Sequence, residues 1–191
     1  AVAPERRGLP VLTAVLAESS PQRLTLVACD SYRLAVRELE WSGPDQPARG
    51  LIPARVLAEA AKAFAHQAEV IITLEAHQAS ITAAERRLTS RLIEGQFPDW
   101  ANLIPPPTTT CVADRATLTA ALRQVTPYAH DGTPVRLAFG PGRLELHGDL
   151  QDVGRGSTPV QVKYDAEALT LAVNPAYLAD ALGAIDDPEV V

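Results

Sequence analysis

Val27-Ala-Cys-Asp-Ser-Tyr-Arg-Leu-Ala-Val36 decides how the first half of the chain is read. Apolar residues alternate through Leu24-Thr-Leu-Val-Ala28, pause at Asp30-Ser31, and resume in Tyr32-Arg-Leu-Ala-Val-Arg-Glu-Leu39. Period-two alternation marks half-buried strands, and Asp-Ser between two such runs favours a tight turn because short polar side chains hydrogen-bond the local backbone. A second stretch, Thr89-Ser-Arg-Leu-Ile-Glu-Gly-Gln-Phe-Pro-Asp-Trp-Ala-Asn-Leu-Ile-Pro105, runs a strand into a break at Gly95, then a turn at Phe97-Pro98-Asp99-Trp100, then a linker. Neither stretch frames a nucleophile, a metal-ligand set or a phosphate loop.

Working outward, alternation predicts strands over 68–74, 79–82 and 87–93 in the first half, and over 135–139, 143–146, 160–164 and 169–173 in the second. Gly140-Pro-Gly142 reads as a hairpin turn. Helices are predicted from Pro53 to Ala65, with proline in the first turn, from Arg115 to about Ala129, capped by Asp114, and from Asn174 to Ile185, capped by Asn174.

The chain repeats itself at an offset of 121 residues. Ile52-Pro-Ala-Arg-Val-Leu-Ala-Glu-Ala-Ala-Lys-Ala63 faces Val173-Asn-Pro-Ala-Tyr-Leu-Ala-Asp-Ala-Leu-Gly-Ala184, so Leu57 meets Leu178 and Glu59 meets Asp180. Upstream, Gly8-Leu-Pro-Val11 echoes Gly132-Thr-Pro-Val135, and Leu24-Thr-Leu26 echoes Leu144-Glu-Leu146, at nearly the same spacing. Chance likeness of Ala/Leu-rich helices explains the helix match alone; the strands recurring in the same order favour duplication. Each unit reads as strand, hairpin, strand, helix. Only the second carries a helix before its first hairpin, and only the first continues with three further strands, so the chain is expected to be a segment of a longer protein. Pro105-Pro-Pro107 and Thr108-Thr-Thr110 form a linker stiffened by proline.

Composition narrows the function. A chain of 191 residues, 47% hydrophobic and 21% charged, is an ordinary globular composition with length for one large or two small cores. It has no apolar run of membrane-spanning length and no signal-peptide pattern at Ala1-Val-Ala-Pro-Glu-Arg-Arg7. Cys29 and Cys111 lie in no motif and are expected as thiols in a reducing compartment. A net charge of −6 argues against coating DNA by bulk attraction, though not against a local basic face. The four histidines have no metal-ligand spacing, no G-x-S-x-G frames a serine, and Asp186-Asp187 reads as a solvated turn. No catalytic residue, metal or cofactor is expected.

In this order, the two opening stretches resemble the middle domain of the bacterial DNA polymerase III β subunit, the sliding clamp, in an actinobacterial-like form. Thr133-Pro-Val-Arg-Leu137 and Val173-Asn-Pro-Ala-Tyr177 resemble its third domain more loosely. The resemblance implies an α+β fold of DNA-clamp domains, with antiparallel sheets outside and helices lining an inner face. Residues 1–107 would be the middle domain without its first helix, and 108–191 the C-terminal domain without its last strands. It implies a processivity factor of the cytoplasm and nucleoid: a head-to-tail homodimer in full-length form, ringing double-stranded DNA without reading its sequence. Its partners would be the polymerase III α subunit, the clamp loader and other proteins bearing the clamp-binding peptide motif, with no membrane association. A clamp-derived or paralogous peptide-binding module that does not encircle DNA is the alternative; an unrelated hydrolase has nothing in the sequence to recommend it.

Carried over residue by residue, the resemblance assigns the peptide pocket to Leu12, Cys29, Ser31, Tyr32, Arg33, Leu34, Pro98, Asn102 and Leu103 in the first unit. Asn174 and Tyr177 complete it in the second. Plain core packing is the competing reading for Leu12 and Leu34, and an ion pair with Asp30 is the one for Arg33. The resemblance also turns Arg6, Arg7, Arg55, Lys62 and Arg123 towards DNA, with Arg115 on the same helix as Arg123; a solvated face, or a pair with a carboxylate such as Glu59, competes for each. Departures from the family are Cys29 where a small Thr is usual, Ser31 where Gly is usual, and Asn102 where a basic residue is common. The helix from Asn174 to Ile185 has no Lys or Arg.

Overall fold

The computed structural model describes residues 9–129 and 133–191. They form two compact units, Ala1–Pro105 and Pro106–Val191.

In the first unit a 3-10 turn, Pro10–Thr13, leads into β1 (Ala14–Ser20), β2 (Arg23–Cys29), β3 (Leu34–Glu40) and β4 (Ala48–Pro53). These pair antiparallel in the order β3-β2-β1-β4. Register places Leu16 opposite Val27 on one side and Leu51 on the other, and Leu16 is fully buried. Burial of such a side chain contributes roughly 1.5–3 kcal/mol, so this line of three fixes which face of the sheet turns inward. Pro53 ends β4 and occupies the N-cap of α1 (Ala54–Ala63), one residue ahead of the predicted first-turn position. Val56, Leu57 and Ala60 turn that helix towards the sheets, and Arg86 closes its C-terminal end by donating to the Ala63 carbonyl at 2.6 Å. A second antiparallel sheet follows: β5 (Ile71–Leu74), β6 (Gln78–Ala83) and β7 (Arg86–Arg91).

The second unit runs β8 (Val112–Asp114), α2 (Arg115–Val125), β9 (Val135–Gly140), β10 (Arg143–Leu150), β11 (Gly154–Lys163), β12 (Leu169–Val173), α3 (Pro175–Ala184) and β13 (Glu189–Val190). The sheet order is β12-β9-β10-β11-β8-β13. Leu118, Ala121, Leu122 and Val125 of α2 and Leu182 of α3 share one core with Val135, Leu144, Leu146 and Val160, so both helices cover the same face.

The duplication is topological as well as sequential. The order β3-β2-β1-β4 of the first unit recurs as β11-β10-β9-β12, each run followed by a ten-residue helix. Starting residues Ala14 and Val135, and Ala54 and Pro175, each differ by 121. Each unit thus contains the expected strand, hairpin, strand and helix, and in the second unit β8 and α2 precede that run. Other expectations shift at their ends. The strand expected at 68–74 starts at Ile71, and that expected at 87–93 runs from Arg86 to Arg91. α2 stops at Val125 and tightens into a 3-10 turn, Thr126–Tyr128, where Pro127 has no N–H to continue the helix. β11 begins six residues before the predicted strand, because its pairing with β10 runs on through Gly148↔Gly156 to Leu150↔Gly154; at Gly156 a Cβ would meet the Tyr128 ring at 2.5 Å.

Candidate functional site

The Asp30-to-Arg33 turn is built by one carboxylate. Asp30 Oδ1 accepts the backbone N–H groups of Tyr32 at 3.1 Å and Arg33 at 2.8 Å, while Oδ2 accepts Arg33 Nε at 2.9 Å and its terminal nitrogen at 2.8 Å. Burial raises the carboxyl's pKa, but these hydrogen bonds and the guanidinium charge outweigh it and hold the group below its ordinary value. Because the turn consumes Tyr32 and Arg33, β3 starts at Leu34, two residues later than alternation suggests. Ser31 sits at φ 76°, in the left-handed region that favours glycine. The result is a rigid turn from which Tyr32 projects with 82% of its surface exposed.

Beneath it lies an apolar floor. Leu12 (6% exposed) and Cys29 (7%) are buried with Val11, Leu16, Val27, Leu51 and Phe97, and half-buried Leu34, Ile93 and Trp100 pack against them. Leu12 and Cys29 are thus core residues of this unit, and Leu34 is at its margin. Arg33 makes the ion pair with Asp30 that competed for it. Pro98 is half-buried; Asn102 is exposed, donating its amide to Asp99 at 2.7 Å, and Leu103 is 56% exposed. In the second unit Asn174 caps α3 by accepting the Ala176 N–H at 2.9 Å, and Tyr177 is half-buried one turn along.

Sequence reasoning missed Glu18 and Arg49. The Trp100 indole donates to Glu18 Oε2 at 3.0 Å, and Arg49 Nε approaches Glu18 Oε1 at 3.2 Å. The first contact spans 82 positions, so no local pattern announces it.

Of the residues assigned to DNA, Arg6 and Arg7 lie outside the described residues. Arg55 on α1 and Arg123 on α2 are exposed and make no ion pair among the described residues. Lys62 pairs with Glu59 at 3.1 Å, and Arg115 donates to the Asp187 carbonyl at 2.8 Å. Arg115 and Arg123 border a groove of about 1020 Å³ whose opposite wall is Ala176, Ala179 and Gly183 of α3.

Among the described residues no group of three or more His, Cys, Asp and Glu could hold a metal, and no helix is long and apolar enough to cross a membrane. Cys29 and Cys111 are free thiols, and burial pushes the Cys111 thiol up, away from the reactive thiolate.

This is the fold of DNA clamps. A solved structure of the DNA polymerase sliding clamp from Pseudomonas aeruginosa with ligand matches with a TM-score of 0.92 and 26% identity, covering 98% of this chain and 52% of that one. The family model of the DNA polymerase III beta subunit, central domain, matches residues 2–99, and that of its C-terminal domain matches residues 102–191. The chain belongs to the DNA polymerase III beta subunit, or beta sliding clamp, family. It is 36% identical to the beta sliding clamp of Streptomyces coelicolor over 188 residues, covering 94% of this chain and 50% of the relative. It is 33% identical to the beta sliding clamp homolog GriR of Streptomyces muensis, covering 97% of this chain and 51% of the relative. The chain thus spans about half the length of the curated relatives it matches.

Proposed function

We propose that this chain is the part of a processivity clamp that docks partner peptides, with 1–107 as middle domain and 108–191 as C-terminal domain. The observation that supports it best is the Asp30–Arg33 turn with its apolar floor, in a chain that matches the clamp family along nearly its whole length. In this reading Leu12, Cys29 and Leu34 give the pocket its apolar base, and Ser31, Tyr32 and Arg33 form one rim. Pro98, Asn102 and Leu103 form another; Asn174 and Tyr177 are the second unit's residues that the family resemblance assigns to peptide binding. Two apolar anchors, each gaining roughly 1.5–3 kcal/mol, supply about 3–6 kcal/mol, so hydrogen bonds from the glutamine and the peptide backbone must add the rest of the roughly 8 kcal/mol that micromolar affinity needs. Weak docking lets the polymerase α subunit, the clamp loader and other motif-bearing proteins exchange in the cytoplasm. In the full-length homodimeric ring the clamp is non-catalytic, and topology holds it on double-stranded DNA, so phosphate contacts are few and mobile.

A second reading, a clamp relative that binds peptides without ringing DNA, is favoured by one feature: α3 carries no Lys or Arg. Both readings predict saturable micromolar binding of a fluorescent peptide with glutamine followed by two apolar anchors. Leu34→Ala combined with Tyr177→Ala should abolish it while unfolding stays cooperative; unchanged affinity would sink the pocket assignment. Loading of the full-length protein onto circular DNA separates the two readings.

A further inference from the structure

Glu18 stands on β1 directly opposite Arg49 of β4 in the strand register, and its carboxylate is shared between two elements. One oxygen faces the Arg49 guanidinium across the sheet; the other receives the indole N–H of Trp100. Trp100 opens the 3-10 turn Trp100–Leu103, and its ring packs on the cluster that includes Leu12 and Cys29. The turn has no side-chain cap at its own start. Its local tie is Asn102 to Asp99, which closes the turn on itself without anchoring it to the sheet. The Glu18–Trp100 hydrogen bond supplies that anchor, and a charged acceptor makes it stronger than a neutral one.

We propose that Glu18 is a positioning residue for the docking surface of the first unit. Held in place by Arg49, it fixes Trp100, and through Trp100 it sets where Asn102 and Leu103 are presented beside the Leu12–Cys29–Leu34 floor. This rests on the docking reading above but adds a residue outside the pocket that governs its shape.

The test uses tryptophan emission and peptide titration together. The chain has two tryptophans, and the Trp41 indole N–H is buried without an acceptor among the described residues, so Trp41→Phe leaves no new unpaired group and makes Trp100 the sole reporter. In that background Glu18→Gln keeps an acceptor for the indole, whereas Glu18→Leu removes it. Glu18→Leu should red-shift Trp100 emission and weaken the two-anchor peptide about tenfold, with Glu18→Gln, which keeps an acceptor for the indole but loses the Arg49 ion pair, falling between Glu18→Leu and the parent in both; thermal unfolding confirms that each variant is folded at the assay temperature. Unchanged emission and affinity in Glu18→Leu, or a Glu18→Gln variant as impaired as Glu18→Leu, would overturn the proposal. If the parent chain binds no peptide, the docking reading falls. Emission then decides alone: a shift in Glu18→Leu sustains Glu18 as the anchor of the turn, and no shift overturns it.

Discussion

Arg33 closes back on Asp30 with two nitrogens, at 2.9 and 2.8 Å, and the same carboxylate also holds the backbone N–H groups of Tyr32 and Arg33. One side chain thereby satisfies the donors of a turn that would otherwise leave them exposed beside a hydrophobic floor. Its acidity follows. Because the folded carboxyl titrates below its unfolded value near 3.9, its contribution to stability is fully present above that value and is lost as pH falls through the folded-state pKa.

Asp30→Asn should therefore cost roughly 1–3 kcal/mol at pH 7, from loss of charge-assisted hydrogen bonds to Arg33. Urea midpoints of both proteins measured from about pH 7 downwards should draw together as pH falls through the folded-state pKa of Asp30, which lies below its ordinary value. A gap that persists unchanged at the acid end would mean the residue acts by shape and not by charge.

Ser31 holds φ 76°, in the left-handed region that favours glycine. Placing an L-residue with a Cβ there costs of order 1 kcal/mol, partly offset by the greater unfolded-state freedom of glycine. Ser31→Gly should raise the thermal midpoint by a few degrees, and Ser31→Val should lower it. If Ser31→Gly destabilises the fold, the hydroxyl makes a contribution larger than the backbone strain.

How much of this is legible in the sequence depends on the range of each interaction. Asp114 and Asn174 read as helix caps because a cap is a local pattern, and both accept backbone N–H groups at their helix starts. The 121-residue repeat is legible because sheet order is carried by alternation, which survives divergence in residue identity. β1 and β4 escape such reading: Ala14-Val-Leu-Ala-Glu-Ser-Ser20 buries residues on both faces, and β4 carries Gly50 and ends in Pro53. Gly50 is needed because a Cβ there would press on Leu92 at 3.2 Å, and Leu92 is too distant along the chain for any window of sequence to display the contact. The pocket residues divide in the same way. The Asp30–Arg33 pair is local enough to be expected as a competing reading, whereas Glu18 and Trp100 meet only once the sheet exists.

Charge on the helices gives the last prediction. Arg55 is exposed and makes no ion pair among the described residues, while Lys62, on the same helix, is neutralised by Glu59. In the proposed clamp the two should therefore contribute unequally to DNA binding. In the full-length protein, Arg55→Gln should weaken binding to duplex DNA and reduce the slope of log K against log salt by roughly 0.9, the change expected when one fewer phosphate is neutralised. Lys62→Gln should change it less, since Lys62 must first give up its carboxylate. Affinity measured at several salt concentrations for both variants decides the matter. Equal slopes for Arg55→Gln and the unaltered protein would remove Arg55 from the DNA-facing set, and a larger effect at Lys62 would show that the Glu59 pair opens when DNA is present.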